Sequence, residues 1–217
     1  YRARLRLGQS TDTYDAEGRI VYEHSGPLPD RSQVEAVLAG FLGDIEQEPP
    51  AFSAVKVAGE PLYRRARRGD AVTAPPRQVR IARLELAAWE PPYLTLEIDC
   101  SAGTYVRSLA HDIGRRLGCG AFVAGLVRTR SGPFRLDQAV SLEKLAQAGQ
   151  WQSYLLPLDT GLQDLPAFVL TSEEAVRAGF GQAITGPAPA DERPARAYAE
   201  DGRLLAVLHF DPQTGLW

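Results

Sequence analysis

Tyr1, Ala3, Leu5 and Leu7 alternate with Arg2, Arg4 and Arg6, the period-two pattern of a half-buried strand. Further strand patterns fall at 19–23, 52–57, 77–88, 93–100, 122–130 and 203–210. Helical spacing separates them. Residues 32–42 place Val34, Val37, Leu38 and Phe41 three and four apart, after Ser32 as the expected cap. Residues 104–117 place Val106, Leu109, Ala110, Ile113 and Leu117 on one face and end at Gly118, with Thr104 as the expected cap. Residues 141–147 open on Ser141-Leu142-Glu143-Lys144, which resembles a capping box. Strand and helix do not alternate strictly. The order predicts an α+β fold with a mixed or antiparallel sheet rather than a doubly wound one.

Pro157, Asp159, Gly161, Asp164 and Pro166 cluster and mark a boundary. The expected organisation is a larger domain over 1–158 and a small β-rich domain over 159–217. In the latter, Phe168-Val169-Leu170 reads as a strand and 172–178 as a short helix stopped by Gly179. Residues 198–204 read as a hairpin around Glu200-Asp201-Gly202. Pro187, Pro189 and Pro194 mark a loop.

Composition narrows the class. The 217 residues are 44% hydrophobic and 24% charged, which excludes a mainly disordered chain. No apolar run approaches the ~20 residues of a spanning helix. Cys100 and Cys119 are too few for a disulfide scaffold and lack metal-ligand spacing, so a reducing cytoplasm is expected. The chain has no Met, and its first residue already lies inside a strand pattern. The expectation is that sequence precedes Tyr1.

The net charge of −3 conceals an asymmetry. Residues 136–217 hold 5 basic against 11 acidic side chains, whereas 56–83 hold eight basic against two acidic. This stretch includes Tyr63-Arg64-Arg65-Ala66-Arg67-Arg68, whose neighbours do not neutralise it in sequence. Arginine forks suit bidentate phosphate contacts, so the cluster is a candidate polyanion site. A GC-rich genome and a solvated helix face are the alternative explanation of the arginine count.

Three segments carry candidate chemistry, each with two readings. The Gly8–Gly18 loop between strands is either a hairpin whose Thr and Asp side chains satisfy its backbone, or a loop that points an Asp into a cleft. Cys100-Ser101-Ala102-Gly103-Thr104-Tyr105-Val106-Arg107 is either an ordinary capped helix start or an anion site with Arg107 beside it. Ser53-Ala54-Val55-Lys56-Val57-Ala58-Gly59-Glu60 feeds the arginine-rich helix, where Tyr63 is either a base-stacking or a core aromatic. His24, His111 and His209 are too widely spaced for a metal site, and none is expected.

In several ordered motifs the chain resembles the TruB family of tRNA pseudouridine synthases. These are Tyr1-Arg2-Ala3 with Leu7-Gly8, Thr11-Asp12-Thr13-Tyr14-Asp15-Ala16-Glu17-Gly18, and Phe41-Leu42-Gly43-Asp44-Ile45-Glu46-Gln47. They continue with Pro49-Pro50-Ala51-Phe52-Ser53-Ala54-Val55-Lys56, Leu62-Tyr63 to Gly69, residues 77–83, Cys100 to Arg107, and Leu117-Gly118-Cys119-Gly120. The match is strong over 1–158, and the tail resembles that family's small PUA-like C-terminal domain. The resemblance implies a cytoplasmic monomer that isomerises a T-arm uridine of tRNA, with no metal or organic cofactor. The target base is flipped out and attacked by an aspartate. It implies that Tyr1 packs on the flipped uracil and takes part in proton transfer, and that Tyr105 lines the same pocket. It implies that Arg107 pairs with and orients the catalytic aspartate, that Leu126 contacts the uracil edge, and that Asp15 faces the pocket. Lys56, Arg64, Arg65, Arg67 and Arg68 are candidate RNA-backbone contacts.

One departure is severe. The family's nucleophile lies in a Gly-x-Leu-Asp-Pro-x-Ala-x-Gly segment before the active-site tyrosine, and the 217 residues contain none. Asp12 and Asp15 are not substitutes, because the family has both in addition. These residues alone are therefore expected not to catalyse, while a longer parent does. The competing expectation is a non-catalytic tRNA-binding or chaperone relative that kept the cleft.

Overall fold

The computed structural model describes residues 1–70, 73–191 and 193–217. The backbone divides into two compact units, Tyr1–Thr129 and Arg130–Trp217.

The first unit contains β1 (Arg2–Leu7), β2 (Gln9–Thr11), β3 (Ile20–Glu23), α1 (Arg31–Ala39), β4 (Gly43–Gln47), β5 (Lys56–Val57) and β6 (Glu60–Pro61). It continues with α2 (Leu62–Arg67), β7 (Arg77–Glu90), β8 (Tyr93–Cys100), α3 (Val106–Arg116) and β9 (Ala121–Val127). Five strands form an antiparallel sheet in the order β4-β7-β8-β1-β9. The alternation seen in the sequence decides which face is covered. Ala3, Leu5 and Leu7 of β1 and Leu94, Leu96 and Ile98 of β8 all point into one core. Ala3 stands opposite Leu96 and Leu5 opposite Leu94. On the other face Arg4 lies over the Tyr93 ring at 4.2 Å, and Arg2 pairs with Glu97. α1 and α3 cover the apolar face with Val34, Leu38, Val106, Leu109, Ala110 and Ile113. Each such buried side chain contributes about 1.5–3 kcal/mol.

The helix caps differ from expectation. α1 is capped by Asp30 in a full capping box with Gln33, and Ser32 donates to Asp30 instead. A carboxylate two residues earlier accepts the Gln33 N–H and also complements the helix dipole. α3 has no side-chain cap, because Thr104 Oγ1 turns back to the Ser101 carbonyl at 2.9 Å. The strand expected over 52–57 reduces to β5, a two-residue pairing with β6.

The second unit contains β10 (Arg130–Ser131), β11 (Phe134–Arg135), α4 (Leu142–Gln147), β12 (Ala167–Val169), α5 (Ser172–Gly179), β13 (Ala195–Tyr198) and β14 (Leu204–Leu208). Ser141 caps α4, as its sequence predicts, by accepting from Lys144 N–H. β12 runs parallel to β13, and β14 returns antiparallel through the expected Glu-Asp-Gly turn. The core is Leu170, Ile184, Ala195, Ala197 and Trp217. Phe168 and Phe210 pack on Trp217 with ring centres 5.3 and 5.4 Å away. Asp159, from the proline-rich cluster, accepts from Tyr198 Oη at 2.6 Å. That bond pushes the Tyr198 phenol above its ordinary value.

Candidate active site

In the β2–β3 loop the two aspartates face different partners. Asp12 accepts from Arg19 N–H at 2.8 Å and closes the hairpin. Asp15 turns the other way. Its Oδ1 accepts from Thr13 Oγ1 at 2.6 Å and from Glu17 N–H at 3.2 Å. Its Oδ2 faces Arg107 at 3.0 Å. Tyr14, at φ +64°, makes the reversal. Backbone bonds fasten it to β9, from Ala16 N–H to Val123 O and from Val123 N–H to Tyr14 O, both 3.0 Å.

Arg107, in the first turn of α3, meets that loop from the helix side. Nη1 donates to the Thr13 carbonyl and to Asp15, both at 3.0 Å, and Nη2 donates to the Phe52 carbonyl at 2.8 Å. The β2–β3 loop and the Phe52 segment thus converge on one guanidinium of α3. Among the described residues, its Nε–H and one Nη2–H have no acceptor. Those two N–H groups are donors left for a further acceptor such as a carboxylate. Arg107 and Asp15 are each 25% exposed, so the pair is only partly in contact with water.

The other candidates are placed as follows. Tyr105 immediately precedes α3, and its side chain packs on Val55, Leu62 and Ala74. Tyr1 packs against the main core, and the Arg128 guanidinium lies 5.6 Å from its ring centre. Leu126 sits opposite Ala3 on β9 and is exposed. Sheet register therefore brings Tyr1 and Leu126 near each other, and it also places Leu126 three residues beyond Val123, where the Asp15 loop is fastened.

The arginine-rich segment is not as unneutralised as its sequence suggests. Arg68 bonds both Glu60 oxygens and also Asp70, and Arg65 lies 3.9 Å from Asp70. The hydrogen bond from Arg68 holds the Glu60 carboxyl below its ordinary value. The two acidic residues of this stretch are brought onto Arg68 by the turn between β6 and the end of α2. Arg67 lies over the Tyr63 ring at 5.7 Å. Lys56, Arg64 and Arg67 have no carboxylate partner among the described residues.

Sequence reasoning missed two supports of the site. Gln47, buried at the end of β4, bonds the Tyr105 backbone. Tyr14 and His111 stack with ring centres 4.0 Å apart, 14° from parallel. His111 lies one turn beyond Arg107, so α3 grips the Asp15 loop twice. Burial pushes the His111 imidazole below its ordinary value and the Tyr14 phenol and Asp112 carboxyl above theirs. A cavity of about 410 Å³ adjoins this stack, lined by Tyr14, Glu48, Ser108, His111, Asp112 and Arg115 among others. The sequence signal for Gln47 was its place in the Phe41–Gln47 motif, and the signal for His111 was the helical i, i+4 step from Arg107. Among the described residues no cluster of three or more His, Cys, Asp or Glu side chains suits a metal ion, and no helix is long and apolar enough to cross a membrane.

Comparison with known proteins matches two family models. One, the N-terminal domain of TruB family pseudouridylate synthase, matches residues 1–106. The other, the C-terminal domain of tRNA pseudouridylate synthase B, matches 107–176. The chain is 42% identical over 213 residues to tRNA pseudouridine synthase B of Pseudomonas fluorescens (strain Pf0-1), covering 95% of this chain and 70% of that protein. It is 45% identical over 184 residues to the protein of the same name from Chromohalobacter salexigens, covering 84% of this chain and 60% of that one. Among solved structures, a chain of a Cbf5-Nop10-Gar1 complex superposes with a TM-score of 0.69 at 23% identity, covering 96% of this chain and 58% of that one. The solved structure shares the α+β fold; the sequence relatives carry the assignment further, and the chain belongs to the TruB family of pseudouridylate synthases.

Proposed function

We propose that the protein isomerises a T-arm uridine of tRNA to pseudouridine, acting as a cytoplasmic monomer, with its nucleophilic aspartate supplied by sequence upstream of Tyr1. The observation that carries this reading is the arrangement around Arg107. Asp15, Thr13 and Phe52 hold the guanidinium through Nη1 and Nη2. The Nε–H and Nη2–H it has left are donors suited to orient a second carboxylate. Asp15 is therefore the residue that holds Arg107, and the attacking group is another one.

The remaining roles follow from this assignment. The uridine is flipped out of its stack, which costs a few kcal/mol offset by interactions in the pocket. Tyr1 and Tyr105 offer aromatic surface for the uracil ring, and Leu126 offers an apolar edge. The aspartate attacks the nucleotide, and the bond between C1′ and N1 breaks. The base turns so that C5 bonds C1′ as the bond between the aspartate and the nucleotide breaks, the C5 proton leaves to water, and N1 takes up a proton. Atoms and electrons balance without an oxidant or reductant. Residues 1–158 form the catalytic domain in this reading, and 159–217 a PUA-like domain.

The test is tritium release from a tRNA labelled at uridine C5. The expected result is no release with these 217 residues alone, and release with a protein extended to the length of its relatives. Release by the 217 residues would sink the upstream nucleophile. Binding of tRNA without product by the extended protein would favour the non-catalytic reading.

A second expectation concerns the basic segment. Arg64→Ala with Arg67→Ala should weaken tRNA binding and flatten its dependence on log[salt] by about 0.7–0.9 for each phosphate that is no longer neutralised. Arg68→Ala should do less, because that guanidinium is already held by Glu60 and Asp70. Equal salt slopes for both variants and the parent would return the segment to a solvated face.

A further inference from the structure

α3 begins without the usual device. Tyr105 occupies the cap position at φ −96° and ψ 106°, and no side chain caps the helix. The backbone at that point is held from fifty-eight residues away. Gln47 Oε1 accepts the Tyr105 N–H at 2.7 Å, and Gln47 Nε2 donates to the Tyr105 carbonyl at 3.1 Å. One primary amide thus takes both backbone groups of one residue, as a neighbouring strand would. Ser108 Oγ donates to the Glu48 carbonyl at 2.7 Å and ties the same two segments together. Gln47 is itself anchored, being 2% exposed and paired with Arg77 of β7.

We infer that Gln47 is a positioning residue for the reaction, fixing Tyr105 and, two residues on, Arg107 against the Asp15 loop. The inference deepens the function proposed above and rests on it. A buried amide is costly unless both of its ends are bonded. Here both are bonded, and to the one residue that joins a pocket aromatic to the helix bearing Arg107. An apolar side chain of similar size would fill the space, leave the Tyr105 N–H without a partner, and leave its C=O with only the Leu109 N–H of α3. Displacements of about 1 Å in reacting groups cost on the order of a hundredfold in rate.

Two variants test the role in the catalytically complete protein. Gln47→Leu should lower kcat about ten- to a hundredfold, while KM and tRNA affinity stay within about twofold. Ile81→Val, a core change outside the site, serves as the stability control and should leave kcat unchanged. Gln47→Glu supplies a readout that a merely structural role would not move. A protonated carboxyl donates to the Tyr105 carbonyl and accepts from its N–H as the amide does, whereas the ionised form can only accept. Burial resists ionisation, so kcat of Gln47→Glu relative to the parent should rise as pH is lowered.

Hydrogen exchange of the Tyr105 amide in the 217-residue chain gives an independent reading, with protection lost in Gln47→Leu and retained in Gln47→Glu at low pH. Parental kcat in Gln47→Leu, or a kcat loss matched by Ile81→Val at equal melting temperature, would overturn the clamp. A Gln47→Glu ratio that ignores pH would overturn it too. Absence of product from the unaltered complete protein would instead overturn the proposed function, so the two failures are distinguishable.

Discussion

Replacing Arg107 by alanine in the catalytically complete protein is expected to lower turnover about a thousandfold or more, with tRNA affinity within about threefold of the parent. The guanidinium bonds two backbone carbonyls and a carboxylate drawn from two segments. Removing it leaves Asp15 Oδ2 without its cation and, in the proposed mechanism, leaves the attacking carboxylate without its orienting donors. Taking away one partner of a desolvated ion pair costs about 3–5 kcal/mol, and about 4 kcal/mol of lost transition-state stabilisation corresponds to a thousandfold in rate. Water reaching the pair through its exposed quarter trims the effect on stability more than the effect on chemistry. The loss of chemistry is set by the orientation of the nucleophile. Affinity is expected to persist, because the proposed phosphate contacts lie on other basic side chains. Arg107→Lys should recover little, since one ammonium cannot serve acceptors spread around a planar fork. Single-turnover rates and filter binding check both halves. A variant that keeps more than about a tenth of parental turnover would sink the orienting role and leave Arg107 a structural tie.

Gly114→Ala is expected to destabilise the first unit by at least about 2 kcal/mol, although alanine is the better helix former by about 1 kcal/mol. Gly114 lies inside α3, where the chain turns back through Leu117-Gly118-Cys119-Gly120 into β9. Its carbonyl accepts from Cys119 N–H at 3.2 Å and Gly120 N–H at 3.0 Å. A Cβ placed there would stand 2.1 Å from Ala121 N and 2.4 Å from the Gly120 carbonyl carbon. Both are backbone atoms held by those bonds, so the clash is relieved only by moving α3 away from β9. Overpacking of this kind costs about 1–3 kcal/mol and more where the obstacle is rigid. The same movement separates Arg107 from the loop fastened at Val123, so turnover in the complete protein should fall with stability. Gly179→Ala is the matched control, because nothing lies within 4 Å of a Cβ there at the end of α5. It should be neutral or slightly stabilising. Urea unfolding of both variants decides the matter, and equal midpoints would mean that α3 and β9 separate cheaply.

The periodicities of β1, β7, β8 and α3 are local properties of the chain. Each is written within a dozen residues and recurs in the folded protein, with the predicted faces of β1 and α3 buried. The hairpin of the second unit and the Ser141 cap were legible for the same reason, since a turn or a cap is completed within about four residues. Family motifs extended this reach by naming Tyr1, Asp15, Tyr105, Arg107 and Leu126 before any partner was known. What neither supplied was the partner of each group. The cap of α1 shifted to Asp30, Thr104 turned away from α3, and the acidic residues near α2 folded back onto Arg68.

Sequence alone, then, determined the class of fold, the helix face that meets the sheet, and which residue types stand ready for chemistry. Tertiary structure decided that Asp15 and not Asp12 meets Arg107, that the Phe52 carbonyl completes the cradle, and that Gln47 holds the start of α3. The partners of Arg107 lie 92, 94 and 55 residues away along the chain, and Gln47 lies 58 from Tyr105. Periodicity and turn chemistry act over a few residues. Bonds at these separations exist only once sheet register and helix packing have brought the segments together, because each isolated group is otherwise satisfied by water.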